Sequence, residues 1–151
     1  MNKILLKKVQ DRLSEIGIKY DTNDTVIHFG MDIGDVLGNI RIYIDIADDY
    51  ILTYAVINNK CPTEHISKTA EYLHRANYGL IHGNFEIDYN DGEIRYKILA
   101  TCQDTTNIPN SIIDRCVFLP CKMLEKYGKG IIKTIINEGD PKKLIEEAEQ
   151  D

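Results

Sequence analysis

Residues 63–99, TEHISKTAEYLHRANYGLIHGNFEIDYNDGEIRYKIL, carry a helix, a glycine stop and two strands in succession. From Phe85 the apolar side chains alternate with charged ones, as Phe85, Ile87 and Tyr89, and they alternate again as Ile94, Tyr96 and Ile98. Period two gives each strand one apolar and one wet face. Asp91-Gly92 between them suits the positive φ of a two-residue hairpin turn. That turn predicts Tyr89 opposite Ile94, Ile87 opposite Tyr96 and Phe85 opposite Ile98, with Asp88 meeting Arg95 and Glu86 meeting Lys97. A slip of one residue would set apolar against charged side chains at every position. Before the hairpin, Ile66, Ala70, Leu73 and Ala76 or Asn77 recur at helical spacing and make one buried stripe. Pro62 suits the first helical position, Glu64 supports the amides of the first turn, and Gly79 offers a left-handed cap at the end.

Outward from this segment the same patterns continue. Residues 1–16 read as an amphipathic helix with Ile4, Leu5, Val9, Leu13 and Ile16 on one side, stopped at Gly17. Residues 21–24 read as a turn, and 25–29 as a short strand. Ile40, Ile42, Ile44 and Ile46 alternate with Arg41, Tyr43 and Asp45, and 50–57 returns as a strand rich in β-branched and aromatic residues. After a polar loop at 103–107, helical spacing starts at Ser111. Pro120 is expected to kink or break that helix, and Gly128 and Gly130 to loosen the chain before Ile131, Ile132, Ile135 and Ile136 resume the pattern. Asp140-Pro141 forms an N-cap and first position for a last helix, about 140–149, either packed or an appendage.

The expected fold is therefore α+β, an antiparallel sheet with helices on one face, in the order α-β-β-β-α-β-β-α with a further C-terminal helix. The 151 residues, 43% of them hydrophobic, suit a single domain, 1–151, with a core of its own. A net charge of −6 with Lys and Arg scattered argues against nucleic-acid and anionic-membrane partners. The apolar run at the N-terminus is short for a signal peptide and no stretch is long enough to span a membrane, so a cytoplasmic location is expected. Reduced thiols are then expected for Cys61, Cys102, Cys116 and Cys121.

Searching for chemistry turns up little. The four cysteines and His28, His65, His74 and His82 lack zinc-ligand spacing: there is no C-x-x-C, and Cys61-x-x-x-His65 has no second pair. Asp32, Asp35, Asp45, Asp48, Asp49 and Asp91 fall in turns or on a wet strand face and match no calcium loop. The serines lack a G-x-S-x-G elbow, and the glycines form neither a dinucleotide fingerprint nor a P-loop. No catalytic residue, metal or cofactor is expected. Nine tyrosines and no tryptophan are a lopsided set, and tyrosine favours interfaces as well as cores. Tyr72, Tyr78, Phe118, Met123, Tyr127, Ile131 and Ile135 are the candidate interface residues.

The run ANYGLIHGNFEIDYNDGEIRYKI, residues 76–98, resembles the signature of the YbjN-domain family of bacterial proteins. The family pattern has a helix ending in Asn, a glycine stop, a G-x-F-x-x-D strand, a D-G-E turn and an R-Y strand. Asn77, Gly79, Gly83, Phe85, Asp88, Asp91, Gly92, Glu93, Arg95 and Tyr96 stand at those positions. KMLEKYGKGIIKTI, 122–135, is similar to the family's last helix, with Gly128 and Lys129 where the family has Leu-Pro. The resemblance implies the fold of type III secretion chaperones, a homodimer and a role in binding another protein or in regulation, and it brings no catalytic residues. Two rival readings remain: a small-molecule binder or enzyme using a cleft between sheet and helices, with His74, His82 or Asp45 in it, and a structural dimer with an apolar patch on 112–127 or 131–136.

Overall fold

The computed structural model describes residues 2–150. Asn2 caps helix α1 (Lys3–Glu15) by accepting from the Leu5 amide at 3.1 Å, and Leu5, Val9 and Leu13 are its buried stripe, with Ile4 turned out to solvent. Strands β1 (Asp21–Asn23), β2 (Val26–Asp32), β3 (Asn39–Ile46) and β4 (Tyr50–Val56) follow as a meander. A 3-10 turn (Thr63–His65) opens α2 (Ile66–Asn77), whose buried face is Ile66, Thr69, Tyr72, Leu73 and Ala76. The hairpin β5 (Asn84–Ile87) and β6 (Ile94–Thr101) leads to α3 (Asn110–Ile135) and α4 (Pro141–Ala148). All pairings are antiparallel in the order β1-β2-β3-β4-β6-β5, so the chain crosses by α2 to the far edge and β6 returns between β4 and β5. The inward side chains of β2, β3, β4 and β6 (Ile27, Ile42, Ile44, Ile51, Tyr96 and Ile98 among them) meet Leu5, Val117, Leu124 and Ile131 in one core.

Three expectations are corrected. Residues 21–23 are a strand, β1, and the turn is confined to Asp24 (φ 52°) and Thr25, since Asn23 pairs with Val26. The β5–β6 register is shifted by two: Ile87 pairs with Ile94, Phe85 with Tyr96 and Glu86 with Arg95. Tyr89 is out of the strand and largely exposed. A shift of two keeps every side chain on its face, so the inside and outside were read correctly and the partners were not. The reason is local. Asp88 and Asp91 turn the chain by accepting from the amides of Asn90 (2.8 Å) and Glu93 (2.9 Å), and the Gly92 amide donates to the Asp88 carbonyl at 2.8 Å. The loop is therefore four residues, 89–92, closed by Asp88 and Glu93. Gly92 (φ 75°) also lies against the Cys61 backbone, where no Cβ fits, so its position answers to the chain before α2 as well as to the turn.

The third correction concerns α3: of the kink or break expected at Pro120 the break does not occur, and the helix runs on through Pro120, Gly128 and Gly130. A mid-helix proline costs about 3 kcal/mol, whereas each large side chain fully buried contributes about 1.5–3 kcal/mol. Twelve residues of α3 are buried, Pro120 among them, so packing outweighs the local penalty. The two glycines are contact points: a Cβ at Gly128 would press on Leu37, and one at Gly130 would overlap the Tyr72 ring.

The helices are fixed to one another by polar contacts as well. Arg12 on α1 grips Asp114 on α3 with two parallel bonds of 2.7 Å, and that guanidinium holds the Asp114 carboxyl below its usual range. His65 Nδ1–H donates to the Ile135 carbonyl at 2.6 Å, joining the start of α2 to the end of α3. α4 is capped by Asp140, which accepts from the Lys143 amide at 3.0 Å, and Leu144 is buried against the core.

The outer edge of β5 is closed by a side chain. Asn77, at the end of α2, accepts from the Phe85 amide at 2.6 Å and donates to the Phe85 carbonyl at 3.0 Å, as a neighbouring strand would. Replacing Asn77 by alanine is expected to cost about 2 kcal/mol of stability, because the Phe85 amide loses its acceptor and the Phe85 carbonyl keeps only the Asn84 side-chain amide at 3.2 Å. Asn77→Asp retains the acceptor and loses the donor, so it should fall between the two. Urea unfolding of the three proteins checks the order, and an alanine variant as stable as the parent would show that water replaces the amide at no cost.

Candidate interaction surfaces

Two surfaces stand out from the fold. The first is the loop between α2 and β5. Arginine and asparagine at the end of α2 start it: the Tyr78 amide donates to the Arg75 carbonyl at 3.3 Å and the Leu80 amide to the Asn77 carbonyl at 3.1 Å. Its other end is held by the Tyr96 hydroxyl, which donates to the His82 carbonyl. Between these anchors Tyr78 and Ile81 are 91% and 88% exposed. Tyr78 also lines a groove of about 550 Å³ between α2 and α4, shared with His74, Arg75, Lys142, Ile145 and Glu149.

The second surface is the side of the sheet that no helix among the described residues covers. The register sets its side chains in rows across the strands. One row runs Gly30, Arg41, Val56, Arg95 and Glu86; the next His28, Tyr43, Tyr54, Lys97 and Asn84; a third Val26, Asp45, Leu52 and Leu99. Apart from Val56, these residues are exposed or half-buried, in contrast to the buried inner face. The Arg95 guanidinium lies 4.2 Å from the centre of the Tyr54 ring and bonds Glu86 at 2.7 Å, and Lys97 also bonds Glu86. The paired cations hold the Glu86 carboxyl below its usual range although burial opposes them.

Of the interface residues expected from sequence, Tyr72, Tyr127, Ile131 and Ile135 belong to the core of the chain itself. Tyr72 Oη–H donates to the Tyr127 carbonyl at 2.9 Å and Tyr127 Oη–H to Glu149 at 2.9 Å, which explains why tyrosine rather than phenylalanine stands there. The remaining three, Tyr78, Phe118 and Met123, reach the surface: Tyr78 fully, Phe118 at 38% and Met123 in part. Sequence reading missed Ile81 and the outer rows. Their signal was present at Tyr43, which stands between Arg41 and Asp45 on the wet face of β3, whereas Tyr54 has only Leu52 and Val56 beside it on its face of β4.

The residues named for other chemistry do not converge. His74 is in the α2–α4 groove, and Asp45 is on the outer sheet face, accepting from the Thr25 hydroxyl at 3.3 Å. His82 lines a separate depression between β6 and α3, with Leu99, Ile112 and Arg115. That depression is about 230 Å³, below the roughly 300–1,000 Å³ of small-molecule sites. Among the described residues no three His, Cys, Asp or Glu side chains are close enough to hold a metal ion. All four thiols are free and buried. Burial pushes Cys116 up to about 12 and Cys121 up to about 11, far from the range of a reactive thiolate. No helix among the described residues is long and apolar enough to cross a membrane.

Comparison with known proteins bears on the fold. No family model matches the chain, and no curated protein matches it by sequence. Among solved structures it is similar to the crystal structure of YbjN from E. coli, at 14% identity and a TM-score of 0.61, over 80% of this chain and 85% of that one. With its six-stranded antiparallel sheet and its helices, this chain has a YbjN-like fold.

Proposed function

We propose that the chain is a non-catalytic protein-binding module of the cytoplasm, a regulatory or chaperone-like adaptor that works as a homodimer. The observation that carries this reading is the loop of Tyr78 and Ile81. Two large apolar side chains about nine-tenths exposed are costly to leave in water. Here they are held out on a segment fixed at both ends by hydrogen bonds, next to a groove that offers apolar and charged walls. A rigid apolar loop beside its own groove can serve both copies of a twofold dimer at once. The likeness to YbjN, described as a candidate transcription regulator, supports a regulatory rather than a metabolic setting.

The test is sedimentation velocity of the full chain over a hundredfold range of concentration. The parent is expected to sediment as a dimer, and Ile81→Asp to weaken the dimer more than tenfold without changing the unfolding midpoint of the monomer. A parent that stays monomeric throughout, or an Ile81→Asp dimer as tight as the parent's, overturns the homodimer through this loop.

A further inference from the structure

We propose that the free edge of β6 beyond β5 takes an extended segment of a partner protein as an added strand, with one aliphatic side chain of that segment seated in the depression beside it. This rests on the protein-binding reading above and is independent of the dimer. β6 has eight residues and β5 only four, so β5 covers Ile94 to Lys97 and leaves 98–101 unpaired on that side. β4 lines the other side of β6 from Arg95 to Thr101. In an antiparallel ladder successive residues turn their backbone groups to opposite sides. The Cys102 amide donates to the Asp49 carbonyl at 2.6 Å and the Asp88 amide to the Glu93 carbonyl at 2.9 Å, so even residues of β6 face β4 and odd ones face β5. The amides and carbonyls of Leu99 and Thr101 therefore point out of the sheet edge, and no hydrogen bond among the described residues reaches them. Gly83 makes this opening. Its φ of 81° and its approach to the Lys97 carbonyl leave no space for a Cβ, and the Tyr96 hydroxyl holds the His82 carbonyl. Together they draw the chain off the edge just where His82 would have paired with Leu99.

The other edges of the sheet are guarded against a further strand. β1 is three residues long and carries Asp21 and Asn23, β2 beyond β1 offers Gly30 and Asp32, and Asn77 occupies both backbone groups of Phe85 on β5. Leu99-Ala100-Thr101 has no charge, no proline and no break in register. Along the same stretch lies the depression of about 230 Å³ between β6 and α3, lined by His82, Ile98, Ala100, Ile112 and Cys116 among others. It is small for a ligand, and it suits a single aliphatic side chain. An added strand sets alternate side chains on opposite faces. The residue opposite Ala100 points to the helix side, where the depression is, and its two neighbours lie beside Thr101 and the half-exposed Leu99 on the outer face. A helix satisfies its own backbone, so four unpaired backbone groups in register select an extended segment. A second copy of this chain is the competing occupant. Its β6 arrives with β5 and the loop after Cys102 attached, whereas a free segment needs no more than the four open residues.

The experiment pans a random dodecapeptide display library on the intact protein and resynthesises the enriched peptides with a single N-methyl group at each backbone amide in turn. Expected are one strongly selected aliphatic position and a loss of more than tenfold in affinity for N-methylation at alternate amides only. Saturating peptide should slow hydrogen exchange at the Leu99 and Thr101 amides at least tenfold. Thr101→Pro removes a donor that no group in the chain uses, and proline is tolerated where a strand amide faces solvent, so it should weaken binding more than tenfold with little change in the unfolding midpoint. The N-methyl scan and the exchange rates require no variant, and they decide the matter even where Thr101→Pro unfolds. The proposal is overturned if no peptide is enriched, if the N-methyl losses lack a period of two, or if the two amides exchange equally fast with and without peptide. Protection of these amides that rises with protein concentration alone makes a second copy the occupant and overturns it as well. Peptides that bind away from this edge overturn the edge and leave the protein-binding reading standing, and a monomer that passes every test overturns the dimer alone.

Discussion

Gly130→Ala is expected to destabilise the protein by about 3 kcal/mol, although alanine in a helix is ordinarily better than glycine by about 1 kcal/mol. The reversal comes from one contact. An ideal Cβ at position 130 would overlap Cζ and the hydroxyl oxygen of Tyr72, a side chain with no exposed surface. That ring cannot move aside cheaply, because its hydroxyl donates to the Tyr127 carbonyl at 2.9 Å and α2 is packed against α3 along the same line. Overpacking a tight core commonly costs about 1–3 kcal/mol, and displacing the hydroxyl strands a buried polar group as well. Urea unfolding gives the value. A cycle with Tyr72→Leu should show strong coupling, since the shorter side chain leaves room for the methyl group. A Gly130→Ala protein as stable as the parent would mean that α3 shifts freely on α2, and that the glycine is there for another reason.

Raising the pH from 8 to about 10 is expected to lower stability by about 3–4 kcal/mol. Burial raises the four thiols and three tyrosines in the folded state: Cys116 to about 12 and Cys121 to about 11, from 9.0, Cys61 and Cys102 in the same direction, Tyr96 and Tyr127 to about 12 from 10.0, and Tyr72 further still. Below pH 9.0 both folded and unfolded chains hold these protons, and their contribution is fully present. Between the unfolded and the folded values the unfolded chain releases protons that the folded chain retains, so stability falls as pH rises. Cys116 and Cys121 each account for about 1.4 kcal/mol at one pH unit above the unfolded value, and the tyrosines add to this as the pH passes 10. Urea midpoints at the two pH values test the drop. Cys116→Ala should reduce the slope by about one thiol's share, whatever it does to stability at pH 8. A midpoint independent of pH over this window would show that the thiols ionise in place, with water reaching them.

Sequence and structure agree where short-range rules operate alone. The alternation Ile40, Ile42, Ile44, Ile46 fixes which face of β3 is buried, and all four are at most 1% exposed. Asp140-Pro141 forms the cap it spells, and the helix after it runs where the pattern places it. The hairpin shows the limit of such rules. Alternation is blind to a shift of two, and Asp91-Gly92 was free to serve either a two-residue or a four-residue loop. Two side chain-to-backbone bonds and the approach of the Cys61 backbone decided between them.

The interface divides in the same way. Tyr72, Tyr127, Ile131 and Ile135 carry the right chemistry for a partner surface, and nothing in their spacing distinguishes a partner from the chain's own α2, α3 and sheet. Burial separates them, and burial depends on what packs opposite. Ile81 shows the converse: an aliphatic residue in a short loop reads as core until the bonds that hold its loop outward are known.

By itself, then, the sequence determined the fold class, the element order around residues 63–99 and the inward face of nearly every strand, because side-chain period and turn chemistry act over a few residues. The tertiary structure alone decided the hairpin register, the continuity of α3 through Pro120 and the two glycines, and the choice of surface left for a partner. Each of these is settled by what lies across the core: the Cys61 backbone against Gly92, Tyr72 against Gly130, and helices on one side of a sheet whose other side no helix among the described residues covers.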